Sequence, residues 1–355
     1  MAPESRSILH RMGWKKQAGE SMSEKTQASS DIAFDRPGKQ QGYLRVPHSH
    51  NTAGWGSVQI PMTVVAHGSG PTLLALGGTH GDEFEGPVAL MKLARELPPE
   101  AVRGRVIIIP ALNLPAVRAG ARLSPVDGQN LNRAFPGAYN GSVTSLIAHY
   151  LTHVLFPLAD IVMDIHSGGR SMVFYPCATL HRVPDAGQYA RMLAAAKVWG
   201  ARYVFIYADI AGEGLLPVQA EQMGKLVVTT EMGGGGECNP GVLQVAERGI
   251  RNVMIQQGLL AGEITTPPYP VETVAATEAG DYLAAGADGV YESFCEVGAE
   301  VQAGQALGQV HSLERPDRPP EPVVARSSGI LIGRRAIGVT SQGDNVATIA
   351  RPVSA

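Results

Sequence analysis

Two histidines and two glutamates occur beside glycine-rich turns at three separate points of the 355-residue chain. His80 and Glu83 lie in GGTHGDEFEG, His166 lies in DIVMDIHSGG, and Glu231 lies in KLVVTTEMGGGG. Two imidazoles and one carboxylate are a common ligand set for catalytic zinc, and they leave the fourth position to water. Zinc lowers the pKa of that water from about 15.7 towards 7, and a second carboxylate then moves its protons. The pattern predicts one Zn²⁺ held by His80, Glu83 and His166, with Glu231 as the catalytic acid and base.

Each of these signals also has a simpler interpretation. A histidine at a strand end is more often a hydrogen-bonded polar residue than a metal ligand, and His-x-x-Glu recurs by chance. The acidic residues after His80 would suit the first turn of a helix, and the glycines after Glu231 would suit a flexible loop. Asp164 shares the strand face of His166 and would either orient that ligand or be a buried structural residue. The joint occurrence of the four residues, in this order, favours the metal site.

Alternating strands and helices are predicted to position these residues. From Val58 onward, short apolar runs that end in turns alternate with segments of helical spacing, such as FEGPVALMKLARELP and SLIAHYLTHVLFPLA. This rhythm predicts an α/β fold with a mostly parallel mixed sheet and helices on both faces. In such a sheet, ligands bind beyond the carboxyl ends of the strands, where the histidines and glutamates fall. The flanking glycines would let the backbone approach a small ligand closely.

The two ends of the chain differ from this central region. Residues 1–40 are polar and lack an apolar period, which predicts a disordered tail before a catalytic domain over 41–264. After the segment TTPPYPVETV, short β-like runs broken by glycine predict a small all-β domain over 265–355. Its VGAEVQAGQALGQV segment resembles the barrel-sandwich hammerhead of biotinyl and lipoyl domains, but no lysine follows Lys225, so attachment of biotin or lipoate is excluded. We expect this module to be structural or to cover the site.

Composition argues against several other classes of protein. The formal net charge is −3 and there is neither a basic stripe nor an aromatic platform, so nucleic-acid binding has no support. No apolar run is long enough to span a bilayer and the first residues lack a signal-peptide core, so we expect a cytoplasmic protein without a membrane partner. The three cysteines are widely spaced, which implies no disulfide framework. Exposed sheet edges and the added module would suit a homo-oligomer.

The same motifs make the chain similar to the succinylglutamate desuccinylase/aspartoacylase family, a branch of the zinc carboxypeptidase fold. The resemblance covers residues 58–260 and extends to the β module. GGTHGDEFEGP matches the His-x-x-Glu ligand motif of the family, DIHSGG its third ligand, and TEMGGGG the segment with its catalytic glutamate. The resemblance implies a zinc-dependent amidohydrolase that removes the acyl group from a small N-acylated amino acid.

The resemblance also implies residues that bind the substrate. NLNRAFPG matches the Asn-Arg motif that holds the substrate carboxylate in the family, which gives this role to Asn132 and Arg133. An arginine fork suits the role because it binds a carboxylate through two parallel hydrogen bonds. The family uses an upstream arginine to polarise the scissile carbonyl, and Arg122 matches better than Arg118, which remains open. For each of these three arginines, the alternative is a solvated surface residue without a role in binding.

The residues around the predicted site also bear on the substrate. Family members that act on N-acetylaspartate carry, as aligned, an arginine ten residues before the catalytic glutamate, whereas this chain has Glu221 there. With Asp209 and Glu213, Glu221 would suit a cationic substrate side chain and reject an acidic one. An exposed helix residue is the alternative for Glu221. GARLSPVDGQNLNRAFPG and VTTEMGGGG resemble the branch that deacetylates N2-acetyl-L-2,4-diaminobutyrate in ectoine catabolism, whose product is a short cationic amino acid.

Three other functions are compatible with parts of this pattern. A deacylase of an acidic N-acyl amino acid, N-acetylaspartate or succinylglutamate, would use the same metal site. A zinc carboxypeptidase would need an open cleft for a peptide, which a covering β module would obstruct. A non-catalytic binding protein would be expected to lack a metal ligand or the catalytic glutamate, and this chain has all four residues.

Overall fold

A large mixed β-sheet with helices packed against it forms most of the protein. The computed structural model describes residues 26–208 and 214–353. The strands are β1 (Ser29–Ser30), β2 (Gly38–Pro47), β3 (Ser57–His67), β4 (Thr72–Gly77), β5 (Gly104–Ile109), β6 (Ile161–His166), β7 (Met172–Phe174), β8 (Cys177–Leu180), β9 (Tyr203–Tyr207), β10 (Leu226–Glu231), β11 (Glu272–Ala276), β12 (Tyr282–Ala284), β13 (Gly289–Ser293), β14 (Glu300–Val301), β15 (Ala306–His311), β16 (Glu321–Val324), β17 (Gly329–Arg335), β18 (Val339–Thr340) and β19 (Asn345–Pro352). The helices are α1 (Glu85–Glu96), α2 (Leu114–Ala119), α3 (Val143–Tyr150), α4 (Phe156–Leu158), α5 (Ala186–Val198), α6 (Leu216–Gln222) and α7 (Pro240–Gln256), with 3-10 turns at Pro99–Ala101, Leu131–Arg133 and Ala279–Asp281 and a π-helical segment at Leu151–Leu155.

Parallel pairing is concentrated in the middle of the main sheet. The strand order is β1-β2-β3-β5-β4-β6-β10-β8-β9-β11-β19-β17-β14, with β12 paired to β19 and β7 paired to β17. The parallel pairs are β5 with β4, β4 with β6, β6 with β10, β8 with β9, and β9 with β11. The flanking pairs are antiparallel, and so is the pair β8 with β10. The α/β prediction is confirmed as a mixed sheet with helices, although the sheet is less parallel than predicted because hairpins extend it.

The helices fall into two groups that pack on the sheet. α1 contacts β4, β5 and β6, α5 contacts β8, β9 and β10, and α7 packs across both α1 and α5. α3 and α6 instead share contacts with the turn at Leu131–Arg133, and α6 also contacts β6 and β10. The start of α7 is set by Asn239, whose side-chain oxygen accepts hydrogen bonds from two backbone N–H groups of the first turn. No helix in the described parts of the chain is long and apolar enough to cross a membrane.

Strands from both sides of the expected domain border share hydrogen bonds and a core. β11, which begins within the expected linker TTPPYPVETV, is parallel to β9 and antiparallel to β19. Side chains of β8, β9, β11, β17 and β19 form one buried cluster, whose members are Cys177, Tyr203, Phe205, Val274, Ala276, Ile330, Ile332 and Ala350. A second sheet, β16-β15-β13-β18, and a separate cluster of buried side chains belong to the C-terminal region alone. The division at residues 264 and 265 and the barrel-sandwich likeness of the module stay predictions.

The prediction of a disordered tail is wrong for residues 26–40, while residues 1–25 lie outside the described part of the chain. β1 pairs with β2, and β2 begins at Gly38 and pairs with β3 over its whole length. Ala28 and Ile32 are buried in the main core. The segment lacks an apolar period because it forms the edge of the sheet and buries only a few of its side chains.

We expect Ile32→Ala to lower the free energy of unfolding by about 3 kcal/mol, because it removes a side chain that is only 7% exposed from the main core. Leu313→Ala is the matched control, since Leu313 is 62% exposed and its truncation should change stability by less than about 0.5 kcal/mol. Urea denaturation of both variants measures the difference. Equal stability of the two variants would contradict the burial of this segment.

Candidate metal centre and substrate cavity

The three predicted metal ligands meet beyond the carboxyl ends of β4 and β6. His80 and Glu83 lie in the loop between β4 and α1, and His166 is the last residue of β6. One potential ligand atom from each side chain lies within 4.8 Å of the other two, and all three residues are buried. The Glu83 carboxylate lies between the rings, with Oε1 2.6 Å from Nδ1 of His80 and Oε2 2.9 Å from Nδ1 of His166. The structure therefore brings together three residues that are far apart in the chain.

Both imidazoles are held from behind by an oxygen atom. Nε2 of His166 lies 2.7 Å from Oδ2 of Asp164, and Oδ1 of Asp164 accepts a hydrogen bond from the Thr79 hydroxyl at 2.7 Å. Nε2 of His80 lies 3.1 Å from Oδ1 of Asn130. A proton on each Nε2 leaves both Nδ1 atoms available to a shared ion, which is the usual arrangement of histidine ligands. Of the two roles open to Asp164, this geometry favours the orientation of a ligand.

The charges of these residues depend on one another. Burial is the largest cause of the lowered pKa of His80, the carboxylate of Glu83 opposes it, and the charges of Arg122 and His166 add to it. Burial also acts to lower the pKa of His166, but the carboxylates of Asp164 and Glu83 outweigh it and hold that pKa well above its usual value. Burial opposes the ionisation of Glu83, yet the two rings hold its pKa below the usual range. A divalent cation satisfies the same atoms, because it binds neutral imidazole and ionised carboxylate.

This donor set fits a zinc ion. Two imidazole nitrogens and one carboxylate are the number and type of protein ligands in many catalytic zinc sites. The orientation of these side chains also fits a metal ion. One buried carboxylate faces both Nδ1 atoms, while each Nε2 faces an oxygen acceptor. Other divalent ions also accept an N/N/O set, so the ligands alone do not select zinc.

Glu231 lies beside this group at the end of β10. It is paired with His166 across the parallel strands β10 and β6. Burial raises the pKa of Glu231 to about 8, the charge of Glu83 adds to this effect, and the charges of His166 and Arg122 oppose it. Within the described residues, Oε2 of Glu231 has no hydrogen-bond partner. A carboxyl group with a pKa close to neutral and an unengaged oxygen is suited to accept and return a proton.

A cavity of about 460 Å³ extends from the metal group over one face of the sheet. This volume falls within the range of roughly 300–1,000 Å³ that is usual for small-molecule sites. Thr179, Phe205 and Thr229 line it and lie in one row across β8, β9 and β10. Tyr282 and Asn345, from β12 and β19, line it as well. The C-terminal strands therefore form part of the wall of the site, which agrees with one of the two roles expected for the module.

Arg122 lies at the metal end of this cavity. Its Nη1 is 3.4 Å from Nδ1 of His80 and 3.8 Å from Oε1 of Glu83, and the residue lines the cavity. Arg118 is exposed on α2 and does not line the cavity. The structure therefore favours Arg122 over Arg118 for a contact with the reacting carbonyl, as the sequence did.

The predicted Asn-Arg pair lines the cavity from the 3-10 turn at Leu131–Arg133. Oδ1 of Asn132 accepts a hydrogen bond from the backbone N–H of Leu216 at 2.8 Å, which ties the turn to the start of α6. Nη1 of Arg133 donates to the backbone carbonyl of Asn132 at 2.5 Å. Asn130, which was not predicted as a site residue, caps the turn by accepting from the N–H of Asn132 at 2.9 Å and also contacts His80. An asparagine directly before a helical turn is a common cap, so the sequence could have predicted this role of Asn130.

Glu221 is buried, but it does not reach the cavity. Both of its carboxylate oxygens lie 3.1 Å from Nδ1 of His181, and neither residue lines the cavity. A contact of Glu221 with the substrate stays a prediction that the cavity lining does not support, whereas the alternative of an exposed helix residue is wrong. Its spacing from the catalytic glutamate placed it near the site, but the packing of α6 decides where the side chain points. Asp209 and Glu213, which were predicted to add negative potential, lie outside the described residues.

The glycines after Glu231 form a hydrogen-bonded segment and not a free loop. The carbonyl of Gly233 accepts from the N–H groups of Gly168 and Phe174, at 3.1 and 2.9 Å. Gly234 has a φ of 137°, and a Cβ there would lie 2.1 Å from the carbonyl oxygen of Met172. Glycine is therefore required here by contact between two backbone segments, whereas the sequence had suggested close approach to a ligand.

The comparisons with known proteins agree on one family. Residues 69–256 match the profile of the succinylglutamate desuccinylase/aspartoacylase catalytic domain. The chain is 42% identical over 325 residues to the N-alpha-acetyl-L-2,4-diaminobutyric acid deacetylase of Halomonas elongata, which covers 92% of this chain and 95% of that protein.

Solved structures show the same similarity. The product-bound structure of the ectoine utilization protein EutE (DoeB) from Ruegeria pomeroyi has a TM-score of 0.89 and 41% identity, and the match covers 92% of this chain and 99% of that one. A succinylglutamate desuccinylase/aspartoacylase from Rhodobacter sphaeroides has a TM-score of 0.89 and 39% identity, with coverage of 93% and 100%.

We expect Asp164→Asn to weaken zinc affinity roughly ten- to hundredfold, because it removes the charged acceptor behind His166. Competition with a chromogenic chelator measures the affinity. Asp127→Asn is the control, since Asp127 accepts from the N–H and hydroxyl of Thr144 and takes no part in the metal group. Zinc affinity equal to wild type in Asp164→Asn would show that Asp164 does not support the ligand.

Proposed function

Because the chain belongs to the succinylglutamate desuccinylase/aspartoacylase family, we propose that it is the zinc-dependent deacetylase of N2-acetyl-L-2,4-diaminobutyrate. The family and the named deacetylase at 42% identity make the chain a hydrolytic deacylase. The choice of substrate is supported by the same relative and by the similarity to an ectoine utilization protein. Acetate and diaminobutyrate would be the products.

The observation that carries the proposal is the convergence of four groups in the lining of one cavity. His80, Glu83 and His166 place their ligand atoms within 4.8 Å of one another, and Glu231 lies on the strand next to His166. A bound zinc ion would supply Lewis acidity to the acyl carbonyl and lower the pKa of the attacking water. Glu231 would take a proton from that water as its oxygen bonds to the acyl carbon, and would deliver a proton to the amide nitrogen as the C–N bond breaks.

Three further residues would hold the substrate during this reaction. Arg122 lies beside the metal group, where its guanidinium would stabilise the negative charge that develops on the carbonyl oxygen. Arg133 and Asn132 line the same cavity from one turn, and the arginine fork would bind the free α-carboxylate. Both cavity arginines are thereby engaged with parts that every N-acyl amino acid has in common. Within the described lining, no further arginine or lysine remains for an acidic side chain.

The shape of the cavity supports a small substrate over a peptide. Tyr282, Asn345 and Thr348 of the C-terminal strands form part of its wall. These strands are joined to the catalytic sheet by the pairing of β11 with β19 and by a shared buried cluster. A peptide that continued past the site would meet this wall, whereas an acetylated amino acid would fit inside.

A substrate panel tests the choice of amino acid. We expect acetate release from N2-acetyl-L-2,4-diaminobutyrate with a kcat/KM more than about tenfold above that for N-acetylaspartate or succinylglutamate, because an acidic side chain would find no cation. The zinc-loaded enzyme is assayed with each compound and with an acetylated dipeptide. A clear preference for either acidic compound or for the peptide would refute the proposed substrate.

Glu231→Gln and metal removal test the chemistry. We expect Glu231→Gln to lower kcat about 10²- to 10⁴-fold with zinc still bound, because the amide cannot carry the proton. Glu263→Gln, an exposed position, is the control and should keep wild-type activity. A chelator should abolish turnover and added zinc should restore it. Undiminished turnover in the chelated enzyme would exclude the metal-dependent reaction.

A further inference from the structure

A histidine and a glutamate form a buried pair that the proposed reaction does not use. His181 follows β8, and its Nδ1 lies 3.1 Å from both carboxylate oxygens of Glu221 on α6. The two side chains are 8% and 6% exposed. A buried carboxylate is costly unless it is compensated, and here one imidazole N–H compensates it. Nε2 of His181 is also buried, and no partner for it exists among the described residues.

The pair lies directly behind a tyrosine of the cavity. Leu180 is paired with Ile206 across the parallel strands β8 and β9, so the next position of each strand sets His181 beside Tyr207. The two ring centroids are 4.4 Å apart, at an interplanar angle of 56°. Tyr207 lines the cavity, whereas His181 and Glu221 do not. Tyr207 therefore separates the buried pair from the space in which the substrate would lie.

The backbone of Tyr207 lies on a different row of the sheet from the residues nearest to the metal group. Glu231 is paired with His166 on one side and with Cys177 on the other, which defines the row nearest to the metal. His181 is four residues beyond Cys177, and an extended chain covers about 13 Å over that length. Tyr207 itself lines the cavity between these rows, where the side chain of a substrate held at the metal by its acyl carbonyl would lie.

A buried carboxylate, that of Glu221, lies behind the imidazole that contacts Tyr207. Burial raises the pKa of the Tyr207 hydroxyl well above the usual value, and the carboxylate of Glu221 adds to this effect. The phenol therefore stays neutral at physiological pH and its oxygen can accept a hydrogen bond. A cationic group gains from such surroundings, whereas an anionic group loses.

We infer that Tyr207 is a specificity-determining residue that binds the side-chain ammonium of the substrate, and that His181 and Glu221 are the positioning pair that holds its ring. This inference rests on the proposed function, because it needs a substrate with a cationic side chain. The ammonium donates a hydrogen bond to the phenol oxygen. Glu221 thus contributes to selectivity indirectly, through the imidazole on which the Tyr207 ring lies.

Tyr207→Phe tests the contact itself, because it removes the hydroxyl and keeps the ring. We expect KM for N2-acetyl-L-2,4-diaminobutyrate to rise about tenfold or more, with kcat changed less than about threefold. N-acetylnorvaline, in which a methyl group replaces the ammonium, should show an unchanged KM. Tyr203→Phe is the matched control, since Tyr203 lies on the same face of β9 but does not line the cavity. Equal KM changes for the cationic and the neutral compound would overturn the inference.

Glu221→Gln and His181→Gln test the positioning pair. Each keeps a polar side chain of similar reach but removes the carboxylate or the ring behind Tyr207. We expect KM for the cationic compound to rise about tenfold while KM for N-acetylnorvaline and kcat for both compounds stay near wild type. A purely structural role would lower thermal stability and affect both compounds alike, and that result would overturn the positioning role. Because Glu221→Gln preserves the volume of the side chain and removes its charge, it remains informative if His181→Gln fails to fold.

The same assays separate this inference from the proposed function. If the wild-type enzyme does not cleave N2-acetyl-L-2,4-diaminobutyrate, the proposed function fails before any variant is compared. If it does cleave that compound and Tyr207→Phe shows no selective loss, the function stands and the role of Tyr207 is refuted.

Discussion

One buried carboxylate shared by two imidazoles is the contact on which the rest of the site depends. Glu83 faces Nδ1 of His80 and Nδ1 of His166, and each ring is held from behind by an oxygen atom. Three such groups remain buried together only if each has a partner, because an uncompensated charge in the interior is costly. The oxygen atoms of Asp164 and Asn130 therefore belong to the centre as much as the ligands do. A divalent ion completes an arrangement that the protein has already oriented.

The cavity depends on a second constraint, which is the attachment of the C-terminal strands to the catalytic sheet. β11 pairs with β9 and β19, and a buried apolar cluster spans the same strands. Tyr282 and Asn345 thereby become fixed parts of the wall. A wall built on strands holds its residues more precisely than a mobile loop would, and this suits a small substrate that must lie with its carbonyl at the metal.

The charged residues around the cavity would determine the orientation in which a substrate binds. Arg122 lies at the metal end, where a carbonyl would develop negative charge, and Arg133 lines the same cavity, where it would bind the α-carboxylate. Tyr207 also lines the cavity, and behind it Glu221 is buried against His181. The negatively charged groups of the substrate would therefore lie near the arginines and its ammonium near the buried glutamate. This arrangement would fix the orientation of the substrate as well as its affinity.

The sequence by itself determined the chemical groups and the strand ends that carry them. The four predicted residues lie at or just after the carboxyl ends of apolar runs, as seen for His80, Glu83, His166 and Glu231. In an α/β sheet the carboxyl ends of parallel strands meet at one edge, so their convergence was predictable from the pattern of strands and helices along the chain. The tertiary structure decided what depends on side-chain direction and on contacts between distant segments. It turned Glu221 towards His181, brought Asn130 behind a ligand, and placed residues 26–40 on the edge of the sheet. Local patterns report periodicity and residue type, but which buried groups become partners is set by packing across the whole fold, because the desolvation of each polar group must be offset by whichever neighbour the fold supplies.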